Sequence, residues 1–332
     1  MARLSPLSLL LALTTTACFH NPATRLGAAH RHSLQPPAQF VPVERIPPPM
    51  MVLSGATGFA ACWAIASAAC SLAFARQAYV FSLSYGVTMA AIGAVALSSA
   101  ARGSVLFAHA ALVAAYGVRL FGFLLWRQIG QDSGWGRRIA ALDKTPRAKR
   151  VPVILSTSFF YALLASPLLF HVQVSAAGFA AGTAAAAVSY AGCAIAAAGL
   201  LLEAVADQQK SLFKISLRAS GQADRPPTGG AFAVSRHPNY LGEIVFWAGS
   251  FIAGLPSVAS SGLPLYARGL RALSMGLGLW GILFIMTSAT KRLEAKQEAN
   301  AASVWPVIGA DGELDSYSKY VARTGALMPR LG

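Results

Sequence analysis

The sequence predicts an all-α fold, a polytopic membrane helix bundle of about seven transmembrane helices with the N-terminus lumenal and the C-terminus cytoplasmic or stromal. Three observations predict it. Mean hydropathy is +0.53, with 55% hydrophobic and only 12% charged residues, against about 25% charged in an ordinary soluble domain. Apolar runs of membrane length recur along the chain. The basic residues gather in loops on one side of those runs, which is how topology is written in sequence. A net charge of +15 would suggest nucleic acid in a soluble protein; here its placement beside apolar runs argues against a nucleic-acid partner.

Residues 1–50 read as a cleavable targeting leader. Arg3, the run Leu9–Leu13 and the small residues Thr14–Ala17 form a signal-like stretch too short to span a bilayer. From Phe19 to Val43 there is no acidic residue, while Arg25, Arg31, histidines, Ser, Thr and Pro accumulate. That composition is transit-like and, with the signal, suggests a secondary plastid. Two other addresses fit the same residues: an endoplasmic reticulum signal with a lumenal leader, and a bacterial lipobox ending at Cys18.

Seven apolar segments follow, near 51–75, 78–101, 104–126, 151–171, 175–202, 241–258 and 270–290, and make a bundle domain over 51–290. Gly and Ala are dense in them, which lets helices approach closely. The loop 127–150 carries Arg127, Arg137, Arg138, Lys144, Arg147, Lys149 and Arg150, and the loop 203–240 carries Lys210, Lys214, Arg218, Arg225 and Arg236. With seven spans both loops and the tail 291–332 share one face, so the positive-inside bias places that face in the cytoplasm or stroma. Cys18, Cys62, Cys70 and Cys193 form no C-x-x-C, and neither a disulfide framework nor a metal site is predicted.

The chemistry concentrates in 203–243. Glu203, Asp207, Lys210 and Lys214 recur at helical spacing where the fifth segment leaves the membrane. They fit either a solvated helix end or a set of groups holding ribose, amide and phosphate. Residues 235–243, Ser-Arg-His-Pro-Asn-Tyr-Leu-Gly-Glu, open the sixth segment. Pro238 suits the first helical turn, whose N–H groups attract anions. Arg236 is a fixed cation beside it, and His237 and Tyr240 are groups able to move protons. Asn239 and Glu243 share a helical surface. Arg119, inside the third segment, is either functional or a snorkelling side chain. His109 and Tyr116 share one face of that segment, where packing is the simpler explanation. There is no G-x-G-x-x-G, Walker loop or H-E-x-x-H.

Taken together, Glu203-x-x-x-Asp207-Gln208, Phe213-Lys214, Gly229, the stretch Ser235–Glu243, Leu293-Glu294 and Tyr317-x-x-Tyr320 resemble the steroid 5-alpha-reductase-like membrane proteins. That superfamily also holds sterol reductases and isoprenylcysteine carboxyl methyltransferase, and the resemblance is to an uncharacterised branch. It implies a cofactor bound from the cytoplasmic side, with a lipid substrate entering from the bilayer. The cofactor is NADPH in the reductases and S-adenosylmethionine in the methyltransferase; Asn239 and the Asp207/Lys210/Lys214 block favour NADPH. By the resemblance, Arg236, Asn239, Tyr240, Glu243, Asp207 and Lys214 contact the cofactor and Tyr317 and Tyr320 close over it; Glu203 and Lys210, at helical spacing beside Asp207 and Lys214, are further cofactor-binding candidates. Tyr240, His237, Tyr116 and Tyr85 are the candidate general acids. The first four segments hold no acidic residue, a departure from the steroid reductases, whose embedded Glu helps to polarise a steroid 3-keto group.

The expected function is therefore a membrane-embedded NADPH-dependent reductase of a C=C bond in a sterol, prenoid or enoyl lipid, in an endoplasmic reticulum or plastid membrane. An S-adenosylmethionine-dependent methyltransferase of a lipid-borne acceptor and a non-catalytic lipid-binding membrane protein are the alternatives.

Overall fold

The computed structural model describes residues 53, 57–129, 143, 145–174, 179–180, 182–259, 262–305, 307–308 and 314–329. The expected leader 1–50 lies outside them, as does the middle of the basic loop 127–150. The described chain is built of α1 (Gly58–Cys70), α2 (Leu83–Ser99), α3 (Val105–Ile129), α4 (Val151–Val172), α5 (Ala184–Ala219), the single turn α6 (Ala231–Val234), α7 (Pro238–Ala259), α8 (Leu265–Val304) and the tail helix α9 (Tyr317–Arg323). Strands β1 (Val307–Ile308) and β2 (Leu314–Asp315) form an antiparallel ribbon between α8 and α9, a small exception to the all-α expectation.

Among the described residues five helices, α3, α4, α5, α7 and α8, are long and apolar enough to cross a membrane, while α1 and α2 are shorter apolar helices. The first expected segment breaks up because α1 runs into a 3-10 turn at Ser71–Phe74, and the second begins with another at Gln77–Phe81. α5 and α8 run past their expected ends. α5 has 36 residues and α8 has 40, so at 1.5 Å per residue they are about 54 and 60 Å long, against a hydrocarbon core of about 30 Å. No Gly or Pro interrupts 200–219, so much of the expected loop 203–240 is helix. Thr183 caps the start of α5 by accepting from the Ala186 N–H at 3.2 Å.

Small residues decide which helices touch. On α5 and α7 the glycines Gly199 and Gly242 meet the opposing backbone: a Cβ on Gly199 would strike the Phe246 nitrogen, and one on Gly242 would come 2.5 Å from the Glu203 nitrogen. This near-contact places Glu203 beside Glu243. On α3, a Cβ on Gly117 would strike the Ala90 nitrogen of α2, and that approach brings Tyr116 beside Tyr85. α8 packs against α4 and α7 and leaves a broad apolar face exposed, including Leu270, Leu273, Trp280 and Phe284, as expected of a lipid-facing helix.

Candidate functional site

A polar cavity of about 690 Å³ opens where α5 and α8 extend beyond the apolar bundle. Helical spacing on α5 aims Glu203, Asp207, Lys210 and Lys214 into it, and α7 contributes Asn239, Tyr240 and Glu243. Arg127, Arg218 and Lys296 add charge to its wall. Arg119 of α3 joins two of the acids: its guanidinium lies 2.6 Å from Glu203 Oε1 and 2.6 Å from Asp207 Oδ2, and donates to the Glu203 carbonyl at 3.2 Å. Lys214 pairs with Asp224 at 3.0 Å.

Two acceptors in this wall have no hydrogen-bond partner among the described residues. Glu203 Oε2 and Asn239 Oδ1 are both buried and unpaired, and leaving such groups unsatisfied costs about 1–3 kcal/mol each. They are suited to N–H or O–H donors of a ligand. Lys210, Arg218 and Lys296 supply cations beyond the Arg119 and Lys214 pairs, which suits phosphate.

A second, smaller space of about 270 Å³ adjoins the cavity. It is lined by Ser156, Thr157, Phe160 and Tyr161 of α4 and Ile282, Ile285 and Met286 of α8, and it shares Phe81, Tyr85, Glu243 and Met286 with the polar cavity. Tyr85 and Glu243 thus stand in the wall between a charged compartment and an apolar one. The Tyr85 hydroxyl donates to Glu243 Oε1 at 3.0 Å and accepts from Trp247 Nε1 at 2.6 Å and from the Tyr116 hydroxyl at 3.1 Å. Its ring stacks on Tyr161, with centroids 4.9 Å apart. A phenol so held keeps its proton toward the carboxylate, and two donors remain on its oxygen when that proton leaves. This arrangement is suited to general acid catalysis.

Other expected residues lie elsewhere. Arg236 and His237 do not line the cavity. Both turn to Glu294 of α8: Arg236 Nε donates to Oε2 at 2.9 Å, the Arg236 Nη2 reaches the same oxygen, and His237 Nε2 lies 2.6 Å from Oε1. Arg236 also donates to the carbonyls of Val321, at 3.3 Å, and Thr324. The backbone N–H groups of Arg236 and His237 donate to Gly325 and Ala326 at 2.9 and 3.1 Å. The pair expected to clamp a cofactor and move protons forms a buried clasp that holds the tail to the start of α7, outside the cavity lining. The physical reason is the carboxylate that the end of α8 brings to it.

Tyr317 and Tyr320, expected as a wall over the cofactor, pack around Trp305. Tyr320 donates to the Phe232 carbonyl at 2.9 Å, and burial holds both phenols above the ordinary tyrosine range. Tyr116 stands behind Tyr85 with its ring on Phe246, and Tyr240 lines the cavity with its ring stacked on His237. Trp247, Tyr161 and Lys296 were not singled out by sequence, and only their placement shows a role; Glu294 belongs to the Leu293-Glu294 motif, but its pairing with Arg236 and His237 is shown only by the structure.

No curated protein and no solved structure matches the chain. A match to the family described as "Protein of unknown function (DUF1295)" covers residues 72–302, and every residue lining the two spaces falls inside it. That match covers well over half of the sequence, and the chain belongs to the DUF1295 family, a steroid 5-alpha-reductase-like family.

Proposed function

We propose that the protein is a membrane-embedded, NADPH-dependent reductase of a C=C bond in a lipid. The observation that carries this reading is the Tyr85–Glu243 hydrogen bond in the wall shared by the polar cavity and the apolar space. A reductase of membrane lipids needs a water-soluble cofactor and an apolar substrate to meet at a proton donor, and this wall provides that meeting point.

In this reading NADPH, when bound, supplies the hydride. Lys210, Arg218 and Lys296 hold its phosphates, while Glu203 Oε2 and Asn239 Oδ1 accept from its hydroxyl and amide groups. The proton shared by Tyr85 and Glu243 passes to the substrate, and Trp247 and Tyr116 stabilise the Tyr85 oxygen. Glu243, open to the polar cavity, returns a proton to Tyr85. Apolar walls of Phe81, Phe160 and Ile282 exclude water from the reacting end. Lys210, Arg218 and Lys296, cations suited to phosphate, favour NADPH over S-adenosylmethionine, which carries no phosphate. The cavity faces the cytoplasm or stroma, with the N-terminus lumenal, in an endoplasmic reticulum or plastid membrane. That orientation follows from the basic loops and the signal-like leader.

Purified protein in lipid nanodiscs, given membrane lipid extract and NADPH deuterated at the transferable position, should yield a lipid that has gained one deuterium from the cofactor and one proton from water. Unconsumed NADPH with every extract, together with lipid methylation from S-adenosylmethionine, would replace the reductase by the methyltransferase.

A further inference from the structure

The outward side of α8 carries a single ridge. Met275, Gly278, Ile282 and Met286 are buried against the bundle. On the opposite face Tyr266, Leu270, Leu273, Leu277, Trp280 and Phe284 are each 43–74% exposed, and they follow one another in steps of four and three. That is the seven-residue repeat of a coiled-coil seam. Two charged residues fall within its length, and both turn to their own bundle. Arg268 Nε donates to the Val258 carbonyl at 3.2 Å, and Arg271 Nη2 to Gln173 Oε1 at 2.6 Å. Gly269 and Gly276, seven residues apart, flank the ridge, and a Cβ on either would meet nothing. The ridge thus runs beside gaps of its own spacing.

Acyl chains can cover any apolar face, and three features set this one apart. The first is the repeat itself: on α5 the exposed Val188, Tyr190, Ile195, Leu201 and Val205 fall at irregular intervals. The second is Trp280, nine residues from Arg271 and eleven from Lys291, about 14 and 17 Å along the helix and so near the bilayer centre. Tryptophan is enriched at the membrane interfaces, and among acyl chains its N–H has no acceptor. Its ring stacks on Phe284 with centroids 5.6 Å apart, which makes a flat outward aromatic surface. The third is area. With about 150–250 Å² for a large aromatic side chain, the exposed parts of the six come to roughly 600–700 Å² per copy. Two such ridges face to face would cover about 1,200–1,400 Å², within the range of roughly 1,200–2,000 Å² for specific, stable pairs.

We propose that α8 is the interface of a parallel homodimer, in which a second copy of this chain lays the same ridge against this one. Copies of one chain share one membrane topology, so their α8 helices run in the same direction. A twofold axis along the bilayer normal then sets each ridge residue beside its equivalent. A seam of this kind stays in register only against a partner with the same repeat, and a second copy supplies it. Gly269 and Gly276 let the two backbones approach, as small residues do between membrane helices. Trp280 and Phe284 pass from acyl chains into the seam. The proposal is independent of which cofactor the polar cavity holds.

The test is disulfide mapping of the full chain in phosphatidylcholine liposomes at high lipid-to-protein ratio, with subunits counted by single-molecule photobleaching. Cys62, Cys70 and Cys193 are buried and stay in place, and Cys18→Ser removes the remaining thiol. Under a membrane-permeant oxidant, Leu273→Cys, Leu277→Cys and Phe284→Cys should each cross-link to a dimer. Their yield should be at least about fivefold that of Ala272→Cys and Ile285→Cys, which are exposed on α8 but lie off the ridge. Bleaching should show two steps. Joint Gly269→Leu and Gly276→Leu substitution fills the gaps without touching the chain's own atoms. It should cut cross-linking at least about fivefold and leave one bleaching step, with helix content unchanged by circular dichroism. Trp280→Ala, which removes only an outward side chain, should do the same. One bleaching step in the unaltered protein would overturn the proposal and give the face to lipid. Equal cross-linking on and off the ridge, or undiminished cross-linking in both the glycine and Trp280 variants, would overturn it as well.

Discussion

The hydroxyl of Tyr85 on α2 donates to the carboxylate of Glu243 on α7 at 3.0 Å, joining positions 158 residues apart in the chain. Both side chains are largely buried, and both line the two spaces that meet at this wall. In the steroid reductases that the sequence resembles, an embedded Glu assists a Tyr. Here the first four apolar segments hold no acid, and the carboxylate beside the phenol comes from α7.

Removing the phenol hydroxyl should separate chemistry from binding. Tyr85→Phe is expected to lower kcat by about 100-fold or more, the usual contribution of a general acid, while the NADPH thermal shift stays within twofold in affinity. Steady-state kinetics beside a binding titration check this. A large loss of NADPH affinity with kcat preserved would assign Tyr85 to the cofactor instead.

Arg119 holds Glu203 and Asp207 together, and its removal leaves two close carboxylates without their cation. Arg119→Met should destabilise the protein by about 3 kcal/mol, the scale of breaking a buried ion pair. Adding Glu203→Gln and Asp207→Asn should restore most of that loss. Thermal unfolding in mild detergent reads both effects. No loss in the single variant would mean that Arg119 serves as a snorkelling side chain.

The clasp makes a different prediction for Arg236 and Glu294. Arg236→Ala and Glu294→Gln should each free the tail, seen as faster protease cleavage within 314–329, and combining them should add little, since both break one network. If Arg236→Ala left the tail protected and instead raised the NADPH KM more than tenfold, Arg236 would belong to the cofactor site.

Alkaline pH should loosen the same segment. Tyr317 and Tyr320 are held above the ordinary tyrosine range by burial, against about 10 for an unfolded tyrosine. Folding favours their neutral forms, so this stabilisation is complete below about pH 10 and declines as pH rises toward the folded values. Protease cleavage of the tail should accelerate across that range, and Tyr320→Phe should blunt the acceleration. A pH-independent rate would contradict the placement of these phenols.

Much of the polar cavity was legible because its signal is local. Glu203, Asp207, Lys210 and Lys214 stand at helical spacing, as do Asn239 and Glu243, so one helical face predicts that each set acts together. The helices of the bundle were legible as apolar runs, and the glycines as close approaches. The fate of Arg236 and His237 was not legible, because their partner Glu294 lies 58 and 57 residues away and nothing near 235–243 announces it. Trp247 reaches Tyr85 across 162 residues, and an isolated aromatic in an apolar run carries no sign of such a bond. The extension of α5 to Ala219 was masked by its polarity, which reads as loop when membrane length is the guide. The leader, and with it the proposed organelle, lies outside the described residues.

The central claim, that the charged cavity holds NADPH, is tested most directly by titrating the cofactor into purified full-length protein and following the unfolding temperature. The account predicts a saturable rise in Tm with NADPH, as mass action requires of a ligand that binds the folded state, diminished in Lys210→Ala and Asn239→Ala, and no rise with S-adenosylmethionine. A rise with S-adenosylmethionine alone, or with neither ligand on well-folded protein, would contradict it.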